Sequence, residues 1–229
     1  MILFENDFAN TGFLAACYLV LFTIAEILYR KFNFKAELTR KIVHLVTGIL
    51  SLSFPLLLEN HLFVLFLCGS FFIILIFSMK FKLLPSINAV DRKTHGSLLY
   101  PVIVYSAFLV QSRYNEYVFY YIPILILAFC DPIAGLTGKK WQYGKYTVFS
   151  KSKTIVGSSA FFISASFIVI FCLAFVEKIF WRDIIFLSFG IAFFTTLAEA
   201  ISHKGYDNLT IPATAMIILL LSKEYFTAF

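Results

Sequence analysis

Side chains that can bind phosphate or a divalent cation are concentrated in one short segment of the chain, CDPIAGLTGKKW. Asp131 precedes Pro132, a pair typical of a helix N-cap with proline at the first helical position, so we expect a new helix, or a bent continuation, to begin there. Gly135 and Gly138 follow at helical spacing and leave one face small enough for another backbone or a ligand to come close. Two lysines then add positive charge: Lys139 and Lys140.

A second polar group opens the next apolar run in the segment KTIVGSSA. Lys153, Thr154, Gly157 and Ser158 combine a cation, hydroxyls and a glycine at a helix N-terminus, and together these make an anion site. The chain contains no G-x-x-x-x-G-K-[ST] string, so this is not a Walker A loop. A helix cap with lipid-facing lysines is the simpler interpretation. The mixture of acid, small residues, lysines and hydroxyls in one loop favours a phosphate site.

A third polar group, in the segment SHKGYDNLTIP, follows a long apolar run near the end of the chain. Asp207 and Asn208 stand here next to Gly205. Magnesium usually keeps several waters and takes one or two protein carboxylates together with the phosphates of a substrate. Asp131 and Asp207 are therefore the candidates for a magnesium site.

The segment ELTRKIVHLVTG places Arg40 and His44 one helical turn apart, with Lys41 beside them. A histidine at such a position is either a satisfied structural residue or a functional one, and the sequence leaves both open. Glu26 lies in the last turns of the first apolar run, where an ionisable group usually has a partner or a function. Arg30, one turn later, is its simple partner.

The segment DRKTHG holds Asp91 and His95 in a charged stretch just before an apolar run. Taken alone this is a weak signal, because loops of such composition are usually solvated.

The elements that must position these groups are membrane helices. The chain has 229 residues, 60% of them hydrophobic and 14% charged, with a mean hydropathy of +0.87; average soluble domains carry roughly 25% charged residues. The four cysteines lie in or next to apolar runs without the spacing of a zinc site or a disulfide framework. Eight apolar runs are long enough to be candidate spans, although three are short: 12–30, 42–58, 61–79, 97–112, 116–130, 156–176, 181–198 and 209–222. We therefore predict an all-α polytopic bundle of seven to eight transmembrane helices, forming a single integral membrane domain over residues 1–229.

The distribution of basic residues predicts the orientation of this bundle. Most lysines and arginines fall in the odd-numbered loops, and cytoplasmic loops collect basic residues. The even loops and the C-terminal end hold only four: Arg113, Lys178, Arg182 and Lys223. We therefore expect the N-terminus outside and all the polar motifs on the cytoplasmic face, where a lipid could reach them from the inner leaflet. The charge of +6 is accounted for by this sorting, so no nucleic-acid partner is expected. Small size and the lack of a targeting extension fit a bacterial inner membrane.

These motifs resemble the polyprenol kinase family, which includes dolichol kinase, phytol kinase and a CTP-dependent diacylglycerol kinase. The matching strings are D-P-x-A-x-x-x-G from Asp131, K-T-x-x-G-S from Lys153, G-x-D-N-L-x-x-P from Gly205, E-L-x-R-K-x-x-H from Glu37, and Leu99-Tyr100-Pro101. The resemblance covers residues 37–212. It implies a CTP-dependent kinase that uses Mg²⁺ and phosphorylates a lipid alcohol; a polyprenol, a phytol-like isoprenoid and diacylglycerol are all compatible.

The resemblance also implies roles for individual residues. Asp131 and Asp207 would hold metal and phosphates, and Lys153 with the turn at Gly157 and Ser158 would grip the nucleotide phosphates. The other nucleotide-binding candidates are Gly135, Gly138, Lys139, Lys140, Thr154 and Asn208. The residues of a cationic wall for lipid or phosphate would be Arg40, Lys41 and His95. A general base for the alcohol is left open among three candidates: Asp91, His44 and Glu26.

Two other functions compete with the kinase. Phosphatidate cytidylyltransferases, which make CDP-diacylglycerol from CTP, share the D-x-x-A-x-x-x-G and K-T-x-x-G strings, but their last inner loop reads H-G-G-x-x-D-R-x-D. Here that loop is HKGYDN, with no arginine and no second aspartate, which favours the kinase branch. A transporter would place ionisable residues near the middle of several spans, and only Glu26 is a candidate for such a position.

Overall fold

The structure, a computed structural model, describes residues 6–89, 95–149, 151–175 and 179–224, except for the side chain of Lys151. The predicted residue Asp91 lies outside these ranges. The described helices are α1 Asp7–Arg30, α2 Ala36–Ser51, α3 Phe54–Leu57, α4 His61–Phe81, α5 Pro85–Asn88, α6 Gly96–Tyr114, α7 Val118–Leu125, α8 Asp131–Lys140, α9 Ile155–Ala174, α10 Trp181–Ile201 and α11 Asp207–Leu221. A π-helical segment, Ile126–Cys130, joins α7 to α8, and a hairpin of strands β1 Lys145–Val148 and β2 Lys151–Thr154 precedes α9.

The all-α membrane class predicted from composition is confirmed. In the described ranges, six helical runs are long and apolar enough to cross a membrane: Asp7–Arg30, Ala36–Leu57, His61–Phe81, Val118–Lys140, Ile155–Ala174 and Trp181–Ile201. Helices α6 and α11 occupy the fourth and eighth predicted spans, but α11 has only 15 residues and α6 is less apolar than the six. The count of seven to eight spans therefore stays a prediction.

A new helix or a bent continuation was expected at Asp131. The structure has a continuation, because the chain stays helical from α7 through the π-helical segment into α8. Asp131 has α-helical dihedrals, φ −62° and ψ −49°, so it does not act as an N-cap. Pro132 lacks an N–H and its ring would clash with the carbonyl four residues earlier in a regular α-helix. The π-helical segment widens the backbone immediately before this proline, and the chain passes the proline without ending the helix. The carboxylate of Asp131 is thereby not used in capping.

The hairpin was not predicted from the sequence, and it delivers the K-T-x-x-G segment to the start of α9. Lys153 pairs with Tyr146 across the two strands. Thr154 is the N-cap of α9, where its hydroxyl accepts a hydrogen bond of 3.1 Å from the N–H of Gly157. The capping role considered for these hydroxyls is therefore present.

Two buried apolar clusters hold the bundle together. The first joins α1, α2, α3, α4 and α6 around residues such as Phe54 and Phe108, and the second joins α7 to α11 around residues such as Phe161 and Ile191. Large apolar side chains that face outward, among them Phe167 and Phe186, cover the surface that lipid would contact. The polar motifs lie where the two clusters meet at one end of the bundle.

Candidate active site

A cavity of about 340 Å³ lies between the two halves of the bundle. One part of its wall is polar and collects residues from four of the predicted motif segments: Arg40, Lys41, His44, Asp131, Gly135, Gly138, Lys139, Lys153, Thr154, Gly157, Ser158, Asp207 and Asn208. Another part is apolar and comes from α1, α3, α4 and α6: Phe22, Phe54, Leu67, Phe71, Leu75 and Val104. One cavity thus offers both a charged and an apolar surface.

Two carboxylates lie within electrostatic range of Asp131 in the polar part of the cavity. Asp131 is on α8, and the other two are Asp207 at the start of α11 and Glu199 near the end of α10. Lys153 and Lys41 supply the opposing positive charge. Carboxylates that share one cavity repel one another, and cations beside them relieve that repulsion. The arrangement is therefore suited to a divalent cation or to groups that carry one.

The donor set fits magnesium bound together with phosphates better than a closed protein site. Within the described residues, no three His, Cys, Asp or Glu side chains are placed to hold one metal ion. Magnesium takes one or two carboxylates and completes its octahedron with waters and phosphate oxygens. Asp131 and Asp207, the two carboxylates predicted from the sequence to hold magnesium, both line the cavity.

Lys153 is fixed by a buried ion pair with Glu199. Its ammonium donates to both the side-chain carboxylate and the backbone carbonyl of Glu199. The two side chains are only 15% and 12% exposed. The second carboxylate oxygen of Glu199 is buried without a hydrogen-bond partner in the described structure. Lys153 is therefore held at the cavity wall by the C-terminal end of α10.

His44 is oriented by the π-helical segment. Its Nε2 lies 3.0 Å from the carbonyl oxygen of Leu127, and since a carbonyl only accepts, Nε2 must carry the proton. In a π-helical turn the carbonyl of Leu127 would accept a hydrogen bond from the N–H five residues later. That residue is Pro132, which has no N–H. The proline and the π-helical segment thus leave an acceptor for His44. Its Nδ1 keeps a lone pair, and Asp207 is in electrostatic range of the ring.

A cationic wall forms on α2 and α8. The ammonium of Lys41 lies where α8 passes closest, and a Cβ added at Gly135 would stand 3.3 Å from it. Lys139 forms an ion pair with Glu37, and Lys41 is coupled to both of these residues and to Asp131. Glycine at position 135 therefore leaves room for a lysine to reach across the helix.

Two of the predicted glycines have close contacts with the protein itself. A Cβ at Gly138 would lie 2.7 Å from the hydroxyl of Thr154, and one at Gly157 would lie 3.0 Å from the carbonyl of Ala134. These glycines allow α8 and α9 to cross closely. Asn208 likewise donates a hydrogen bond of 2.8 Å to the carbonyl of Gly96 on α6. All three also line the cavity, so their predicted contact with a nucleotide stays a prediction.

Some of the predicted residues do not line the cavity. The ammonium of Lys140 sits over the ring of Trp141, 4.6 Å from its centroid. His95 donates its backbone N–H to the carbonyl of Lys204, 2.9 Å away, and its ring stands beside that of Tyr206. Glu26 pairs with Arg30, as the simple interpretation expected, and also accepts from the N–H of Ser86.

The cavity-lining residues that were not selected from the sequence include two that contact the selected residues Lys153 and His44. Glu199 is one of them; its position near the end of a long apolar helix, where a carboxylate is costly, was the available signal. Tyr100 was noted only as part of a motif. It is buried on α6, with its ring edge against that of His44 at a centroid distance of 5.3 Å.

Comparison with known proteins identifies a relative in Synechocystis sp. that is named phytol kinase. The two sequences are 32% identical over 214 residues, an alignment that covers 90% of this chain and 88% of the relative. No family model matches the chain, and no solved structure matches it. The likeness to the relative extends over nearly all of both chains.

Proposed function

Since this chain belongs to the polyprenol kinase family, we propose that it is a CTP-dependent kinase that transfers the γ-phosphate of CTP to the hydroxyl of a membrane-embedded lipid alcohol. The relative's name supports a kinase over the cytidylyltransferase alternative. The acceptor we expect is a single-chain isoprenoid alcohol of the phytol type, because that is the alcohol for which the relative is named.

One observation carries this proposal: a single cavity is charged in one part and apolar in another. A kinase for a lipid alcohol needs both surfaces, since the phosphate donor is a water-soluble anion and the acceptor is a hydrocarbon chain ending in a hydroxyl. Phosphoryl transfer requires mainly positioning and charge stabilisation. Clustered lysines beside carboxylates supply the charge, and aromatic and aliphatic side chains from α1, α3, α4 and α6 supply the surface for the chain.

We assign the residues of the polar part to the donor. Lys153 would contact the phosphates from the start of α9, where the helix N-terminus also favours an anion. Lys41 and Arg40 would neutralise the phosphates from the opposite wall. Asp131 and Asp207 would hold Mg²⁺, which when bound neutralises charge on the β- and γ-phosphates.

The alcohol oxygen then forms a bond to the γ-phosphorus as the bond from that phosphorus to the oxygen bridging the β-phosphate breaks. CDP leaves, and the proton of the alcohol passes to a base. His44 suits this role among the candidates, because it lines the cavity and its Nε2–H is committed to Leu127, which leaves Nδ1 as the acceptor. Glu26 pairs with Arg30 and is not among the cavity-lining residues.

A donor and acceptor panel tests the proposal. Purified protein would be incubated with Mg²⁺ and each of CTP, ATP, GTP and UTP, against phytol, a polyprenol and diacylglycerol. We expect a phosphorylated isoprenoid with CTP. Transfer from ATP in preference to CTP would refute the donor assignment, and diacylglycerol as the best acceptor would refute the acceptor class.

We further propose that the cavity faces the cytoplasm of a bacterial inner membrane. The loops that carry most of the basic residues also carry the cavity motifs, and such loops stay on the cytoplasmic side. Protease access to a tag on the N-terminus, in right-side-out and inverted vesicles, would measure this. A tag cleaved only in inverted vesicles contradicts the orientation.

A further inference from the structure

The hydroxyl of Tyr100 is a buried polar group of the cavity to which the proposed reaction assigns no role. Tyr100 is 6% exposed and lines the cavity. Its hydroxyl is buried and makes no hydrogen bond of acceptable geometry in the described structure. The Ser51 hydroxyl is within weak hydrogen-bonding reach of Tyr100, but it is already engaged, because it contacts Tyr18 at 2.9 Å and donates to the carbonyl of Thr47 at 2.8 Å. A buried hydroxyl without a hydrogen-bond partner in the protein requires an explanation, and a bound ligand is one.

A second buried hydroxyl faces the same region. Oγ1 of Thr47 is buried, also lacks a partner in the described structure, and belongs to a cavity-lining residue. The neighbouring tyrosines differ in this respect, since Tyr18 contacts Ser51 and Tyr120 donates to the carbonyl of Ser51 at 2.7 Å. Among the described residues that line the cavity, Tyr100 and Thr47 are therefore the two whose buried hydroxyls have no hydrogen-bond partner in the protein.

The Tyr100 hydroxyl lies at the boundary between the charged and the apolar surface of the cavity. Its ring packs edge-on against His44. A Cβ added at Gly48, one turn along α2 from His44, would lie 3.1 Å from the hydroxyl oxygen, so that oxygen lies beside the helical turn that follows His44. Beyond it the wall is formed by side chains such as Val104 and Phe54.

We propose that Tyr100, assisted by Thr47, binds the hydroxyl oxygen of the acceptor alcohol and so fixes how far the lipid enters the cavity. This inference rests on the proposed function for the identity of the ligand. A phenol donates one hydrogen bond, so it can hold the alcohol oxygen through a lone pair while the alcohol proton stays available to a base. The hydrocarbon chain would then extend along the apolar wall. The ligand class is a primary alcohol on a single apolar chain.

Binding without nucleotide tests this directly. The affinities of phytol and of the hydrocarbon with the same skeleton but no hydroxyl would be measured by displacement of labelled phytol from the full chain in nanodiscs. For the wild-type protein we expect phytol to bind about three- to tenfold more tightly, the contribution of one hydrogen bond. In Tyr100→Phe that preference should disappear, while the affinity for the hydrocarbon is retained.

Tyr120→Phe is the matched control, because it removes the same atom from a tyrosine whose hydroxyl is bonded to the protein and which does not line the cavity. It should keep the preference for the alcohol. If Tyr100→Phe fails to fold, the affinities of phytol and of the hydrocarbon would be compared in Thr47→Val instead. We expect a smaller preference for the alcohol in that variant.

The inference is overturned if the wild-type protein shows no preference for the alcohol. It is also overturned if Tyr100→Phe keeps that preference unchanged, in which case the hydroxyl has only a water as its partner. This binding experiment can succeed or fail independently of the test of the proposed function. A preference that depends on Tyr100, in a protein that phosphorylates no alcohol, would support the binding site and refute the kinase.

Discussion

Replacing Glu199 by glutamine tests how the protein positions its principal phosphate-binding lysine. The change keeps the size of the side chain and removes the negative charge that faces Lys153. Removing one partner of a buried ion pair costs about 3–5 kcal/mol, whereas exposed pairs contribute about 0–1 kcal/mol. The side chains of this pair are 15% and 12% exposed, so the buried case applies. Because the backbone carbonyl of Glu199 would still accept from Lys153, we expect a loss of about 2 kcal/mol.

Thermal unfolding in detergent measures that loss. For a chain of this size, 1 kcal/mol corresponds to about 2–4 °C, so Glu199→Gln should unfold about 4–8 °C below wild type. Asp183→Asn is the control, since it removes a carboxylate at the other end of α10 whose partner, Arg182, is 89% exposed in its side chain. We expect less than about 1 kcal/mol for that change.

A double-mutant cycle separates the pair from its surroundings. Lys153→Met leaves Glu199 buried and uncompensated, so the double variant should be less destabilised than the sum of the single variants, by about 1–3 kcal/mol. In catalysis, Glu199→Gln should raise the KM for CTP, because Lys153 loses its fixed position. Additive effects on stability, together with an unchanged KM, would refute the assignment of Glu199 as the residue that positions Lys153.

Three further substitutions test the site and its packing. Asp131→Asn should abolish phosphoryl transfer while the unfolding temperature stays near that of wild type; retained activity would remove Asp131 from the metal site. His44→Gln should lower kcat by about 10²–10⁴-fold with little change in the KM for CTP, and an unaffected kcat would exclude it as the base. Gly138→Ala should destabilise by about 1–3 kcal/mol, since its Cβ would lie 2.7 Å from the Thr154 hydroxyl. Gly190→Ala, with no atom within 4 Å, should not, and equal unfolding temperatures for the two would contradict this packing.

The membrane class and the grouping of the motifs could be predicted from the sequence because both depend on local composition. Long apolar runs specify helices wherever they occur. Polar motifs that follow alternate runs must return to one side of the membrane, which is why Asp131, Lys153 and Asp207 line one cavity. The capping role of Thr154 is equally local, since it depends only on residues within the same turn.

Other features depend on contacts that a single sequence does not display. The ion pair between Lys153 and Glu199 joins residues 46 positions apart. The two strands of the hairpin are short, rich in lysine, serine and threonine, and carry no clear apolar alternation. The π-helical segment before Pro132 was also missed, because the usual effect of proline is to end or kink a helix. That segment explains both why Asp131 is not a cap and how His44 acquires its orientation.

The position of the label transferred from CTP tests the central claim most directly. Two samples of the protein would be incubated with Mg²⁺, phytol and phosphatidate, one with CTP labelled on the γ-phosphate and the other with CTP labelled on the α-phosphate. We predict that the γ-label moves to phytol, that the α-label stays in water-soluble nucleotide, and that neither lipid is labelled by Asp131→Asn. Transfer of the α-label to phosphatidate, with no γ-label on any alcohol, would contradict the kinase and identify a cytidylyltransferase.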